Sequence, residues 1–200
     1  MASTIIFDAF GTLIQRAKKR ENPYARLVTP EASADLRRQV LTRNVPIDVF
    51  AKEQGLEHLI PLLRREIENE IAALALYPDV LETIARLRGA GHKIAVCSNL
   101  AFEYCATVRL LLPTVDEFVF SCEVGAAKPQ PQIFDEACQR LRCRPRDVLF
   151  IGDSKRADFE GPLAFGMRAR LIDREARQTL EAVRLAAAKY SGLLESYSEF

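Results

Sequence analysis

Four short polar segments of this 200-residue chain each follow an apolar run of strand character. They are Asp8-Ala9-Phe10-Gly11-Thr12, Ser98-Asn99, Lys128-Pro129, and Gly152-Asp153-Ser154 with Asp158 shortly after. Asp8 ends the run Thr4-Ile5-Ile6-Phe7, where an isolated carboxylate is costly to desolvate. Taken alone, it reads equally well as an acid that caps its own loop. Lys128 adds a cation, and Asp153 and Asp158 add two carboxylates. Three acids in one pocket repel one another, and a divalent cation relieves that repulsion. Magnesium takes oxygen ligands and keeps several waters, so two carboxylates and a backbone carbonyl suffice to hold it. Gly11 and Gly152 let backbone approach a ligand closely. Ser98, Asn99 and neighbouring amides suit phosphate-like oxygens.

Residues spread from 8 to 158 meet only if strands bring them to one edge. In an open parallel sheet, ligands gather outside the carboxyl ends of the strands, at the switch point. The pattern after Pro78 provides such a sheet. Strands are expected at Lys93–Cys97, Glu117–Ser121, Asp147–Ile151 and Arg168–Ile172, alternating with helices. The helices are expected from a cap at Asp79 to Leu87, over Ala101–Leu112, Pro131–Leu141 and Ser154–Phe165, and finally over Glu175–Lys189. With Thr4–Asp8 as the first strand, this is an α/β, five-stranded parallel, Rossmann-like sheet with helices on both faces. The stretch 14–77 shows no convincing strand. Its apolar residues fall at helical spacing: Leu36, Val40 and Leu41; then Val49 and Phe50; then Leu59, Leu62, Leu63, Ile67, Ile71 and Leu74. The expected division is an α/β core of residues 1–13 and 78–200 and a small helical cap of residues 14–77.

Composition narrows the function classes. Hydrophobic residues make up 48%, enough for a sizeable core, and 28 Lys+Arg against 27 Asp+Glu leave a net charge of +1. That balance argues against nucleic acid as a partner. Arg16, Lys18, Lys19 and Arg20 form the one basic run, read first as solvated loop and second as a guide for an anionic substrate. No apolar run reaches bilayer-spanning length and no signal peptide is evident, so no membrane partner and a cytoplasmic location are expected. The five cysteines are odd in number and lack a CxxC pair, as expected of reduced thiols. His58 and His92 read as structural. Tyr24, Phe50 and Tyr104 read as core before pocket. The last helix reads as packing on its own sheet before a dimer face, leaving a monomer or homodimer.

In their order, the four segments resemble the four motifs of the haloacid dehalogenase superfamily. Phe7-Asp8-Ala9-Phe10-Gly11-Thr12-Leu13 resembles the first and Cys97-Ser98-Asn99 the second. Lys128-Pro129 with Ile133-Phe134 resembles the third. Ile151-Gly152-Asp153-Ser154, with Asp158 and Gly166-Met167, resembles the fourth. The resemblance covers Thr4 to about Asp173, and the helical stretch sits where the family inserts a cap. It implies a hydrolase in which Asp8 is nucleophile and magnesium ligand, and Phe10 lends the metal its carbonyl. Ser98 and Asn99 would orient the transferring group, and Gly11 and Thr12 would belong to the substrate loop. Lys128 would neutralise charge, Asp153 would bind Mg2+, and Asp158 would support the metal shell. The partner would be a small phosphorylated metabolite. The resemblance also implies that the strands ending at Asp8 and Asp153 are neighbours.

One position departs from the pattern. Phosphatases of the family usually carry a second Asp two residues after the nucleophile, and this chain has Phe10. General acid–base help is typically worth about 10²–10⁴ in rate. Dehalogenases of the family carry an aromatic there, since a halide leaves without a proton, and work without metal. The first motif therefore leans toward a 2-haloacid dehalogenase-like enzyme, with Arg16, Arg20, Arg26, Arg37, Arg38 or Arg43 on the halogen. Asp153 and Asp158 lean back toward magnesium and a phosphorylated substrate. A weakly active or non-catalytic binding member is the third reading.

Overall fold

The structure is a computed structural model that describes residues 4–15, 22–27 and 33–180. Five parallel strands form one sheet in the order β3-β2-β1-β4-β5. They are β1 (Thr4–Phe7), β2 (Lys93–Ser98), β3 (Glu117–Phe120), β4 (Val148–Gly152) and β5 (Arg168–Leu171). β1 lies at the centre, with Ile6 opposite Ala95 of β2 and Phe150 of β4. The strands ending at Asp8 and Asp153 are thus neighbours, as the resemblance implied.

The period-two alternation of strand side chains sends the apolar residues to two cores. Ile5, Phe7, Val96 and Ile151 join one cluster, and Ile6, Ala95, Cys97 and Phe150 join the other. Both faces are covered, as near-continuous apolar strands require. The first face takes Val80, Ile84 and Leu87 from the helix before β2 and Cys105 and Val108 from the helix after it. The second takes Ile133, Phe134, Ala137, Cys138 and Leu141 from the helix between β3 and β4.

Between β1 and β2 the described elements are all helical. They are a 3-10 turn (Pro23–Leu27), α1 (Ser33–Thr42), α2 (Ile47–Glu53), a second 3-10 turn (Glu57–Leu59) and α3 (Ile60–Ala72), which precede α4 (Val80–Gly89). Leu27, Leu36, Val40, Ile47, Phe50, Leu63 and Ile67 belong to the same apolar cluster as Ile5 and Phe7. The chain enters and leaves this insert through paired backbone. Gln15 N donates to Ala75 O and Tyr77 N to Leu13 O, both at 2.9 Å. Beyond β2 lie α5 (Cys105–Leu111), α6 (Ser121–Val124), α7 (Pro131–Leu141) and α8 (Gly161–Ala164).

Three local expectations change. Asp79 stands at the start of α4, but its carboxylate does not cap that helix. It accepts instead from Arg174 at 3.0 Å and from Leu180 N at 2.8 Å. The helix expected over Ser154–Phe165 is a π-helical turn, Lys155–Glu160, running into the short α8. The last helix does not begin at Glu175: residues 174–177 form a turn and helix begins at Leu180. The remainder of that helix lies outside the described residues. Among the described residues, no helix is long and apolar enough to cross a membrane.

Candidate active site

The sheet order puts the carboxyl ends of β1, β2 and β4 side by side. After β1 the backbone stays tied to the sheet, with Asp8 N donating to Ile151 O at 2.9 Å. Asp8 Oδ1 accepts from Ser98 Oγ at 2.9 Å and from Lys128 Nζ at 2.7 Å. Neither bond uses Oδ2.

Lys128 arrives from the segment between α6 and α7, and Asn99 holds it in place. Lys128 N donates to Asn99 Oδ1 at 2.7 Å, and Asn99 Nδ2 donates back to Lys128 O at 3.0 Å. Gly161 gives the following Pro129 its room, since a Cβ there would approach Pro129 Cβ to 2.7 Å. The Lys128 ammonium spends its three protons on Asp8 Oδ1, on Cys97 O at 2.7 Å and on Asp158 Oδ1 at 2.6 Å. Burial alone pulls this ammonium down, yet Asp8 and Asp158 together hold it above the usual lysine range.

Asp158 reaches the site because of the π-helical turn. Its Oδ2 accepts from Ser154 N at 3.0 Å while its own N–H donates to Ser154 O at 2.8 Å. This folds the side chain back over Gly152, where a Cβ would overlap the Asp158 carboxyl. Burial raises the Asp158 carboxyl above the usual range, and Lys128 opposes that rise. Asp153 is half-buried, and ligand oxygens of Asp8, Asp153 and Asp158 lie within 4.8 Å of one another. Lys128 bridges Asp8 and Asp158. An all-oxygen donor set of three carboxylates fits a hard divalent cation such as magnesium. Cys97 is no nucleophile here, because burial pushes its thiol up to about 12.

Above this charged floor opens a cavity of about 500 Å³. Phe10, Tyr24, Tyr104, Val40, Leu41 and Leu74 form its apolar wall, and Asn22 and Glu70 add polar atoms. The Phe10 ring meets the Tyr104 ring edge-on at 5.9 Å between centroids. Two Tyr–Glu pairs tie the insert to the core beside the cavity. Tyr104 OH donates to Glu70 Oε2 at 2.7 Å, and Tyr24 OH donates to Glu103. Glu103 also accepts from Ile47 N at 2.6 Å. Burial first, then the neighbouring carboxylate, raises both phenols above the usual tyrosine range.

Asp8, Phe10, Ser98, Asn99, Lys128, Asp153 and Asp158, singled out in the sequence, all line this cavity. Gly11 and Thr12 do not. Gly11 adopts φ +81° in the turn where its N–H donates to Ile14 O at 2.8 Å. Thr12 is fully buried behind that turn, its hydroxyl has no partner among the described residues, and its carbonyl accepts from Arg174. The Asn99 amide is likewise committed to the Lys128 backbone. Tyr24 and Tyr104 prove to be both largely buried and cavity-lining, whereas Phe50 is core only. His58 and His92 lie away from the cavity, and the run Arg16, Lys18, Lys19, Arg20 lies outside the described residues. Glu70 was missed. Its signal was a carboxylate at helical spacing among Ile67 and Ile71 of α3 and Leu74 just beyond it.

Comparisons with known proteins establish the family. The family model of the haloacid dehalogenase-like hydrolases matches residues 2–166. A glyceraldehyde 3-phosphate phosphatase of Methanopyrus kandleri is 30% identical over 207 residues, covering 90% of this chain and 88% of that protein. An (S)-2-haloacid dehalogenase 1 of a Pseudomonas species is 28% identical over 190 residues, covering 84% and 83%. Among solved structures, a phosphatase of the same family from Thermococcus onnurineus superposes with a TM-score of 0.60 at 26% identity, covering 89% of each chain.

Proposed function

This chain belongs to the haloacid dehalogenase-like hydrolases, and from that premise we propose that it is a magnesium-dependent phosphatase acting on a small phosphorylated metabolite through an aspartyl intermediate. The observation that carries this reading is the carboxylate triad Asp8, Asp153 and Asp158, with Lys128 bridging Asp8 and Asp158. Asp8, Asp153 and the Phe10 carbonyl would hold the ion, with Asp158 supporting the shell. When bound, magnesium would screen the negative charge between Asp8 and an incoming phosphate group.

The remaining chemistry falls to the side chains. Ser98 and Lys128 fix Asp8 through Oδ1, so Oδ2 supplies the electron pair that attacks phosphorus. The bond to the leaving oxygen breaks, and that oxygen carries away the pair. Lys128 would offset the negative charge that Asp8 and an incoming phosphoryl group bring together. Water then attacks phosphorus, releasing phosphate and regenerating Asp8. Asn99 acts as a positioning residue by fixing the Lys128 backbone. The insert 14–77 would serve as the cap, with the paired backbone at 13–15 and 75–77 as its neck.

Phe10 favours the second reading, a 2-haloacid dehalogenase-like enzyme, because it offers no proton to a leaving alkoxide. Against it, Asp153 would repel both Asp8 and an anionic haloacid unless a cation lay between them. A small phosphorylated sugar is consistent with the phosphatase relative. The test is a panel of aryl, acyl and alkyl phosphates and 2-haloacids, assayed with magnesium and with chelator. Phosphate release that requires magnesium is expected. Halide release in chelator would establish the dehalogenase instead.

A further inference from the structure

Asp8, Asp153, Asp158 and Lys128 form the charged floor of the cavity. Glu70 stands apart from that group on the cavity wall. It projects from α3 into the cavity, where Oε2 accepts from Tyr104 OH at 2.7 Å and Oε1 meets no donor among the described residues. Tyr104 is itself fixed against Phe10, so the carboxylate has a set place on the cavity wall. Among the described residues, Lys128 is the sole basic group of the lining, and its three protons are spent within the floor. A carboxylate with an open acceptor welcomes a hydroxyl or an ammonium and repels a second anion.

We propose that Glu70, positioned by Tyr104, selects the organic end of the substrate: the enzyme takes phosphomonoesters whose carbon skeleton bears hydroxyl or ammonium donors and discriminates against those bearing a carboxylate or a second phosphate. This rests on the phosphatase reading above and adds the substrate class to it. It also explains how a cavity with apolar walls chooses among small polar esters, since Phe10, Val40, Leu41 and Leu74 offer no hydrogen bond from their side chains.

Three skeletons of matched length test it: glycerol phosphate, propyl phosphate and phosphoglycerate, each assayed for kcat and KM with magnesium. Wild type should prefer glycerol phosphate to propyl phosphate, and propyl phosphate to phosphoglycerate. Glu70→Gln keeps the shape and removes the charge. It should narrow the ratio of glycerol phosphate to phosphoglycerate by about tenfold, mainly through KM. Tyr104→Phe should narrow it less, by loosening Glu70. An unchanged ratio in Glu70→Gln, or a wild type that prefers phosphoglycerate, overturns the proposal. Para-nitrophenyl phosphate separates this from failure of the parent reading. If wild type with magnesium releases no phosphate from it or from the three esters, the phosphatase reading falls and takes this inference with it. If the esters turn over with the wrong preference, only the inference falls.

Discussion

Lys128→Met removes a buried ammonium from between two carboxylates while keeping most of its volume. The Lys128 side chain is 1% exposed, and those of Asp8 and Asp158 are 9% and 1%. At an effective dielectric of about 20, a contact of 2.7 Å corresponds to roughly 6 kcal/mol of attraction per pair, most of it offset by desolvation. Breaking such a buried arrangement typically costs about 3–5 kcal/mol, because the carboxylates are left uncompensated. For a chain of this size that is a melting-temperature drop of roughly 6–20 °C. The pH dependence has a definite sign. The folded Asp158 carboxyl is already raised by burial, and Lys128 is the group that lowers it. Without Lys128 it rises further. A carboxyl raised in the folded state contributes stability below its unfolded value and loses it as pH climbs through the folded value. The deficit of Lys128→Met should therefore be larger at about pH 7 than at about pH 5, by on the order of 1 kcal/mol or more. Urea unfolding in chelator, at both pH values, measures it. Equal deficits at the two pH values, or a variant as stable as wild type, would refute the electrostatic account.

Other predictions follow from single contacts. Gly152→Ala should displace Asp158 from Ser154 N and Lys128, costing about 1–3 kcal/mol in unfolding experiments. Arg174→Met frees the Thr12 carbonyl and Asp79 and vacates the face of Tyr77; thermal melting should show a loss of about 2–3 kcal/mol. Phe10→Asp should raise the rate on alkyl phosphates relative to aryl ones, toward the range of about 10²–10⁴ if the new carboxyl reaches the leaving oxygen. Equal wild-type rates on alkyl and aryl phosphates would show that another group already supplies the proton.

The strands were legible because each is a short apolar run that ends in a polar residue or a turn. Asp8, Ser98, Lys128 and Asp153 were legible because a parallel sheet delivers those ends to one edge. Side-chain commitments within the edge were not. Nothing in Ser98-Asn99 distinguishes a hydroxyl that binds Asp8 from an amide that clamps Lys128. The π-helical turn was hidden for a similar reason. Residues 154–165 carry ordinary helical spacing, and only the packing of Asp158 over Gly152 selects the wider turn. Gly11 and Thr12 read as ligand-facing because glycine permits close approach of any kind. Here the approach is to the loop's own backbone. Glu70 escaped notice because an acid on a helix is normally solvated, and the Tyr104 hydroxyl that holds it comes from 34 residues away in the chain.

The central proposal is that Asp8, Asp153 and the Phe10 carbonyl, with Asp158 supporting the shell, hold a magnesium ion on which phosphoryl transfer to Asp8 depends. Its most direct test is phosphate release from para-nitrophenyl phosphate as magnesium is added to chelator-stripped wild type and to Asp153→Asn. The account predicts no release in stripped wild type, a saturable rise with added magnesium, and a much weaker response in Asp153→Asn. A rate independent of magnesium, or identical magnesium curves for the two proteins, would contradict it.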